Sequence, residues 1–412
     1  MWARTQLKIA WSDLAAGVFY SLFPGDRTHL RHAAETYWSA EDTIATYSVR
    51  SGFDLLLSAM GLAPGDEIIF SALNVRGMVR IVSWQGLTAV PVDLDIAHMA
   101  PSVERLRRAI TPKSKVLVVA HLFGTHLDLD PIFDLAREHG LLIVEDCAQA
   151  FAGQAYGGHP KADVSMFSFG PLKTATALGG ALIRVKDTTL RDRMRKIHAT
   201  WTVQSNTAQL KRVAQFAGLK IVTSRPVMAM IYRFFHARGL DYEDAVSDKV
   251  RNVANLKKRK NLQFQPSTAM LALVARRIRT FKEESLRERA DRGERLSAYL
   301  GDSVVQPGRA NQYCDYWMFP ILVDDPRAFI DGLRAEGFDG ANLPRSQAVA
   351  APEGRADLEP VIAARALSDL IVLPCYPGMS DEELKRQAEV VKSIAGRVGT
   401  QRTTGYRDAV PQ

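Results

Sequence analysis

Between residues 141 and 183 two short apolar runs each end in polar side chains, and no other stretch narrows the choice of fold as far. Leu141-Leu142-Ile143-Val144 runs into Glu145-Asp146-Cys147-Ala148-Gln149. Val164-Ser165-Met166-Phe167-Ser168-Phe169 runs into a loop that reaches Lys173 and then the paired Gly179-Gly180. Continuous apolar runs of this length read as strands buried on both faces, as in the parallel sheet of an α/β fold. Open α/β sheets bind ligands beyond the carboxyl ends of their strands, so Asp146, Gln149, Ser168 and Lys173 are expected along one rim.

An acid, an amide, a hydroxyl and an amine at strand exits suit an aldehyde cofactor with a pyridine ring and a phosphate, that is, pyridoxal phosphate. Lys173 would condense with the aldehyde, Asp146 would keep the ring nitrogen protonated, and Ser168 would bond the phosphate. Gln149 would lie against the ring or its phenolic oxygen. The plain alternative for Asp146 is an acid that bonds backbone at a strand end, and for Lys173 a solvated loop residue. Pro171-Leu172 before the lysine and Thr174-Ala175-Thr176-Ala177-Leu178 after it argue against the latter. An apolar wall of that kind desolvates the amine, lowers its pKa and makes it a nucleophile and base.

The same residues resemble the DegT/DnrJ/StrS group of pyridoxal-phosphate aminotransferases, in which a Glu-Asp-x-Ala-Gln strand precedes Ser-Phe-x-x-x-Lys and a glycine pair. Landmarks in matching order include Ser51-Gly52, Gly65-Asp66-Glu67, Pro91-Val92-Asp93, His121-Leu122-Phe123-Gly124 and Leu373-Pro374-Cys375-Tyr376-Pro377-Gly378. The resemblance covers roughly residues 45–200 and 264–395. It implies the pyridoxal-phosphate transferase fold type I: a large, mostly parallel sheet lobe, a small C-terminal α+β lobe, and a homodimer with sites at the interface. It also implies an amino-acid donor such as glutamate and a carbonyl acceptor, a nucleotide-linked keto sugar.

The chain departs from that pattern in several places. Phe53 stands where the family has a phosphate-binding threonine, which shifts the phosphate onto Ser51, the amides around Gly52 and Phe53, and Ser168. Ser51 is also placed to cap the helix that begins there, and amides at such a terminus bind phosphate. Val75 occupies the position of a ring that stacks on the cofactor, with Asn74 and Arg76 as polar neighbours. A branched aliphatic there gives up a ring-on-ring contribution of ~0.5–1.5 kcal/mol. Leu178 replaces an acid, and Asn342-Leu343-Pro344-Arg345-Ser346 replaces a substrate-facing His-Tyr segment. About sixty residues, 201–263, stand where the family has a short loop to the neighbouring subunit, and Asn261 is the nearest match to that loop's asparagine.

Composition sets the outer limits. A chain of 412 residues, 47% hydrophobic, exceeds the ~250–300 at which single cores stop growing. The expected division is an arm at 1–48, a large cofactor lobe at 49–200, a helical insertion at 201–263, a small lobe at 264–395 and a tail at 396–412. Aromatic residues in the arm, from Trp2 to Trp38, read as packing over the large lobe or a partner subunit. Cys147, Cys314 and Cys375 are too scattered for a disulfide framework or zinc knuckle. His121, at a strand exit, reads as a satisfied structural histidine. The amino terminus has no long apolar region, so the expected location is cytoplasmic.

The net charge of +8 does not point to nucleic acid. Residues 208–260 hold twelve Lys and Arg against four Asp and Glu, which is the whole surplus. Two apolar helical stretches in that segment, joined at Ser224-Arg225-Pro226, are each about half the ~20 residues that span a bilayer. They read as a subunit contact or pocket lid, or else as a peripheral membrane contact. The function expected is therefore pyridoxal-phosphate-dependent transamination. One alternative keeps the chemistry but takes a lipid-linked or apolar carbonyl at the membrane surface. Another is a catalytically idle binding module.

Overall fold

The computed structural model describes residues 1–4, 6–39, 41–236, 258–343 and 346–398. Arg238, Lys249, Arg251 and Lys257 of the basic segment, Arg345, and the tail from Thr400 lie outside the described residues. The chain opens with α1 (Trp11–Leu22), α2 (Arg27–Glu35), β1 (Thr43–Thr46) and α3 (Val49–Met60). It continues through β2 (Glu67–Ser71), β3 (Leu73–Val75), α4 (Arg76–Trp84), β4 (Thr88–Val92), α5 (Val103–Ala109), β5 (Ser114–Ala120) and α6 (Asp130–Glu138). Then come β6 (Leu142–Asp146), β7 (Val164–Ser168), β8 (Ala181–Val185) and α7 (Thr188–Ala199).

These strands form one seven-stranded sheet in the order β1-β8-β7-β6-β5-β2-β4. β7, β6, β5, β2 and β4 run parallel, and β8 is antiparallel to both β7 and β1. The period-two alternation of each strand sorts its side chains to opposite faces. Ile68, Phe70, Val116, Val118, Val144 and Met166 pack with α3, α4 and α7. Ile69, Leu117, Val119 and Ile143 pack with α5 and α6 on the other face. Crossovers that cover both faces put Ser71, Asp146 and Ser168 at the carboxyl ends of parallel strands, with His121 just past β5.

The expected cap of α3 is corrected by one turn. Ser48 is the N-cap, and its Oγ accepts from the Ser51 amide at 3.1 Å, while Ser51 sits inside the first turn. Gly52 brings that helix onto the sheet, since a Cβ there would stand 2.5 Å from the Ile183 side chain.

The small lobe is built from α11 (Glu284–Leu300), β11 (Phe319–Leu322), α12 (Pro326–Ala335), α13 (Val361–Asp369), β13 (Leu370–Leu373) and α14 (Asp381–Val398), following α10 (Thr268–Arg279). β11 pairs antiparallel with β13 over a core of Phe319, Ile321, Phe329, Ile371 and Val391. β12 (Ser346–Ala348) crosses back and pairs with β3, its Gln347 opposite Asn74. Tyr20, Tyr37 and Trp38 of the arm pack on the large-lobe cluster of Phe151 and Phe167, as expected, whereas its first residues belong to the small lobe. Trp2 lies in the small-lobe core, its N–H donates to Gly337 O at 2.8 Å, and Arg4 bonds Asp339 at 2.8 Å. The arm therefore ties one lobe to the other, because α1 packs on α10, which sits against Phe167 and Leu182 of the large sheet rather than in the small lobe expected to begin at 264.

The inserted segment leaves and re-enters through a parallel pair, β9 (Thr202–Val203) with β10 (Phe264–Gln265). It contains α8 (Asn206–Val222) and α9 (Arg225–His236). α8 packs on α1, burying Val213 and Phe216 against Leu7, Ile9, Leu14 and Leu178. Among the described residues no helix is long and apolar enough to cross a membrane.

If the arm fastens the lobes through its tryptophan, Trp2→Ala should destabilise the protein by about 3 kcal/mol, the usual cost of truncating a buried aromatic. Urea unfolding followed by circular dichroism should show a lower midpoint, and an unchanged midpoint would contradict the packing.

Candidate active site

Asp146 ends β6 with its carboxylate buried, and Oδ1 accepts the Ala148 amide at 2.9 Å. Burial pushes this carboxyl above the ordinary aspartate value, while the Ala148 N–H and the charge of Lys173 pull it back. Lys173 lies on the turn after β7, closed by Lys173 N–H to Gly170 O at 3.0 Å and Thr176 N–H to Lys173 O at 3.2 Å. Desolvation draws the amine down to about 8, with Asp146 opposing and Arg50 reinforcing the shift. Its Nζ stands 4.3 Å from the centre of the Trp317 ring. Acid and amine thus sense each other's charge at the rim of the sheet.

The other predicted residues divide. Ser168 and Lys173 flank Gly170, where a Cβ would lie 3.5 Å from Ser168 Oγ and 3.8 Å from Lys173 Cγ. Gln149 turns its Oε1 to the Phe123 amide at 2.8 Å. Asn74 is buried, its Oδ1 accepts the Val75 amide at 2.8 Å, and its Nδ2 has no partner. Val75 is 37% exposed at the start of α4. Ser51 is buried with its hydroxyl 2.9 Å from that of Ser48. The Gly52 amide is committed to Ser48 O at 2.9 Å. The Phe53 ring points into the core, edge-on to Phe70 at 6.0 Å. Of the groups expected to hold the phosphate, the Ser51 hydroxyl and the Gly52 amide thus have partners within α3 and its cap.

Sequence reasoning missed Arg50. It sits in the first turn of α3, and its Cδ fills the space over Gly77, where a Cβ would come within 2.7 Å. His121, in contrast, is structural as expected: Nε2 meets Glu145 at 2.8 Å and Nδ1 accepts the Leu127 amide at 3.3 Å. Burial alone would raise the Glu145 carboxyl, but donation from His121, Tyr156 and the His159 amide overcomes it and holds the group at about 2.

The small lobe clamps the lysine turn from the other side, a second feature that the sequence did not disclose. Trp317 Nε1 donates to Leu172 O at 2.9 Å. Arg289, fully buried, pairs with Asp315 at 2.7 Å and reaches Thr174 Oγ1 at 3.3 Å. A signal did exist, because Arg289 falls on the buried stripe of α11 with Leu286, Gly293, Leu296 and Leu300. A charge on an apolar face implies a buried partner.

A desolvated amine with no hydrogen-bond acceptor among the described residues, a buried acid with one strong backbone donor, and the orphaned Nδ2 of Asn74 leave polar capacity for a small polar group. Pyridoxal phosphate fits that donor set. Fold and site together define the class: a pyridoxal-phosphate-dependent transferase of fold type I. The chain belongs to the DegT/DnrJ/EryC1/StrS aminotransferase family, whose sequence pattern matches residues 25–394. It is 35% identical over 162 residues to the GDP-perosamine synthase of Caulobacter vibrioides, a match covering 39% of this chain and 43% of that protein. The match spans about two-fifths of the length of the curated relatives.

Among solved structures, the aminotransferase TlmJ of Streptoalloteichus hindustanus superimposes with a TM-score of 0.70 at 21% identity, over 97% of this chain and all of that one (100%). NtdA of Bacillus subtilis, solved with bound cofactor PMP, does so at 0.65 and 18% identity, over 94% and 83%.

The lowered pKa of Lys173 gives a pH prediction. Capture of pyridoxal phosphate by the cofactor-free protein needs the neutral amine, so its rate should rise as pH passes through about 8. Stopped-flow absorbance would check this, and a midpoint near ~10.4, the value of an unperturbed lysine, would contradict the desolvated site.

Proposed function

We propose that this protein is a pyridoxal-phosphate-dependent aminotransferase that moves an amino group from glutamate to the carbonyl of a nucleotide-linked keto sugar. The observation that carries the reading is the desolvated Lys173 amine beside the buried Asp146 carboxylate at the carboxyl ends of β7 and β6. The cofactor supplies an electron sink that makes the donor's Cα–H acidic. Lys173 would be the residue that holds it, through its amine. The Lys173 amine, drawn down to about 8, would be the group placed to take up and give back the donor's Cα proton, a task suited to an amine that titrates near neutrality. Asp146 would keep the ring nitrogen protonated, and a cation there would offset the burial that raises the Asp146 pKa. Arg50, close enough to Lys173 to perturb it, supplies positive charge for the phosphate in place of the hydroxyl absent at Phe53.

The acceptor class has its own support. The narrow cleft beside the lysine turn is lined by Leu172 and Trp317 and by Arg4 and Lys8 of the amino-terminal segment. Arg4 is already paired with Asp339 at 2.8 Å, so Lys8, drawn down to about 7, is the basic group left there to meet an anionic acceptor such as a sugar carried on a nucleotide diphosphate. A homodimer completes the reading. Asn261, the predicted contact to a second subunit, is exposed on a turn pinned to its own chain by Arg259, which bonds Asp54 at 2.7 Å.

The test is the first half-reaction. Mixing the cofactor-loaded protein with glutamate should shift the absorbance of the bound cofactor and release 2-oxoglutarate, and Lys173→Ala should slow this by at least ~10²-fold, the lower range for loss of an acid–base group. A cofactor-loaded protein that leaves glutamate unchanged would defeat the reading.

A second reading, an acceptor presented on a membrane, is favoured by one feature. Trp11, Phe19, Leu22 and Phe23 of α1 and Met230 and Phe234 of α9 are exposed, with Lys220 beside Trp11 and Arg233 on α9. An apolar face rimmed by basic residues binds anionic lipid. Co-flotation with phosphatidylglycerol vesicles, lost on deleting residues 213–235, would support it. Absence of flotation would remove it.

A further inference from the structure

The paired strands β9 and β10, through which the inserted segment is rooted, adjoin a cavity of about 330 Å³. Its lining includes Arg31 and Glu35 of α2, Ile44 of β1, Arg195 and His198 of α7, and Gln265 of β10. β1 is the edge strand, three strand positions from β6 and so on the order of 14 Å across the sheet from Asp146. The cavity is therefore separate from the lysine site.

Its electrostatics are one-sided. Arg31 and Arg195 line it, and Arg27 stands beside it, bonded to Gln265 at 3.0 Å with a buried Nε that has no partner. Against these three guanidiniums stands one carboxylate, Glu35, already engaged by the Ala45 amide at 2.9 Å and by Arg195 at 3.6 Å. The Nε2 of His198 is buried without a partner, in a side chain only 8% exposed. Burial lowers the imidazole pKa to about 4, and Arg27, Arg31 and Arg195 push it the same way, which reports a positive potential at that point. Buried polar atoms are almost always satisfied, so the orphaned Nε2 of His198 at the wall of a basic cavity is fitted to a ligand from outside.

We propose that this cavity binds a small organic dianion, a phosphate monoester or a dicarboxylate, held by Arg31 and Arg195 with His198 as a third contact. The Arg31 fork matches the paired oxygens of either group, Arg195, whose Nη2 donates to Thr43 O at 2.9 Å, adds its charge, and the volume is that of a small-molecule site rather than an ion site. An occupant would join α2, α7 and β10, the three elements that meet at the root of the insertion.

The proposal is tested on the full chain saturated with pyridoxal phosphate, so that the lysine site is occupied. Calorimetric titration with glycerol 3-phosphate and, separately, with succinate should show binding to one or both. Arg31→Ala should weaken it at least about tenfold, the value of one charge-assisted bond, while the half-reaction with glutamate stays unchanged. Arg31→Lys, which keeps the charge and loses the fork, should fall between. A loss confined to glycerol 3-phosphate assigns the phosphate class, and one confined to succinate assigns the dicarboxylate class. No binding of either compound, or equal binding by the wild type and Arg31→Ala, would overturn the proposal.

Discussion

The site depends on the cost of keeping a charged amine away from water. Lys173 is held on a turn after β7, and desolvation outweighs the attraction of Asp146 in setting its pKa. A lysine left in water would stay protonated and unreactive at neutral pH. Asp146 meets the same burial with the opposite consequence, a raised pKa that a cationic ring would bring back down. Each group is unfavourable alone where it stands, and the pair becomes coherent once a heterocycle with a basic nitrogen lies between or beside them.

Low pKa does not by itself select the amine. Lys8 is drawn further down, to about 7, by burial and by Arg289. It lies on the amino-terminal segment in the cleft with Trp317 and Cys375, where its acidic neighbour is Asp315, already paired with Arg289. Asp146 acts electrostatically on Lys173, which makes position on the sheet rim the deciding factor. The Arg289–Asp315 pair has its own role. A buried ion pair is weak evidence for stability, but this one reaches Thr174, the residue after the lysine, and so links small-lobe placement to the lysine turn.

Much of this was legible in the sequence because it is local. Alternation within strands, the strand–helix–strand rhythm and the order of polar residues at strand ends are all short-range signals. What failed was register or tertiary placement. Ser48 and Ser51 are both competent caps one turn apart, and only the backbone chooses between them. Phe53 read as a missing hydroxyl, but its ring is a core residue against Phe70, so the substitution moved the side chain from ligand to packing. Leu178 read as a lost acid. It has a φ of 63°, a conformation more costly for Leu than for Asn or Asp, and its burial against Val213 and Phe216 of the insertion explains why an apolar residue stands there. Arg50, Trp317 and the cavity beside His198 arise from elements far apart in sequence, and no local pattern announces them.

Borohydride reduction of the cofactor-loaded protein followed by peptide mass mapping tests the central claim most directly, because it fixes the cofactor to whichever amine holds it. The account predicts a phosphopyridoxyl group on Lys173 alone. A group on Lys8, or none on any lysine, would contradict it.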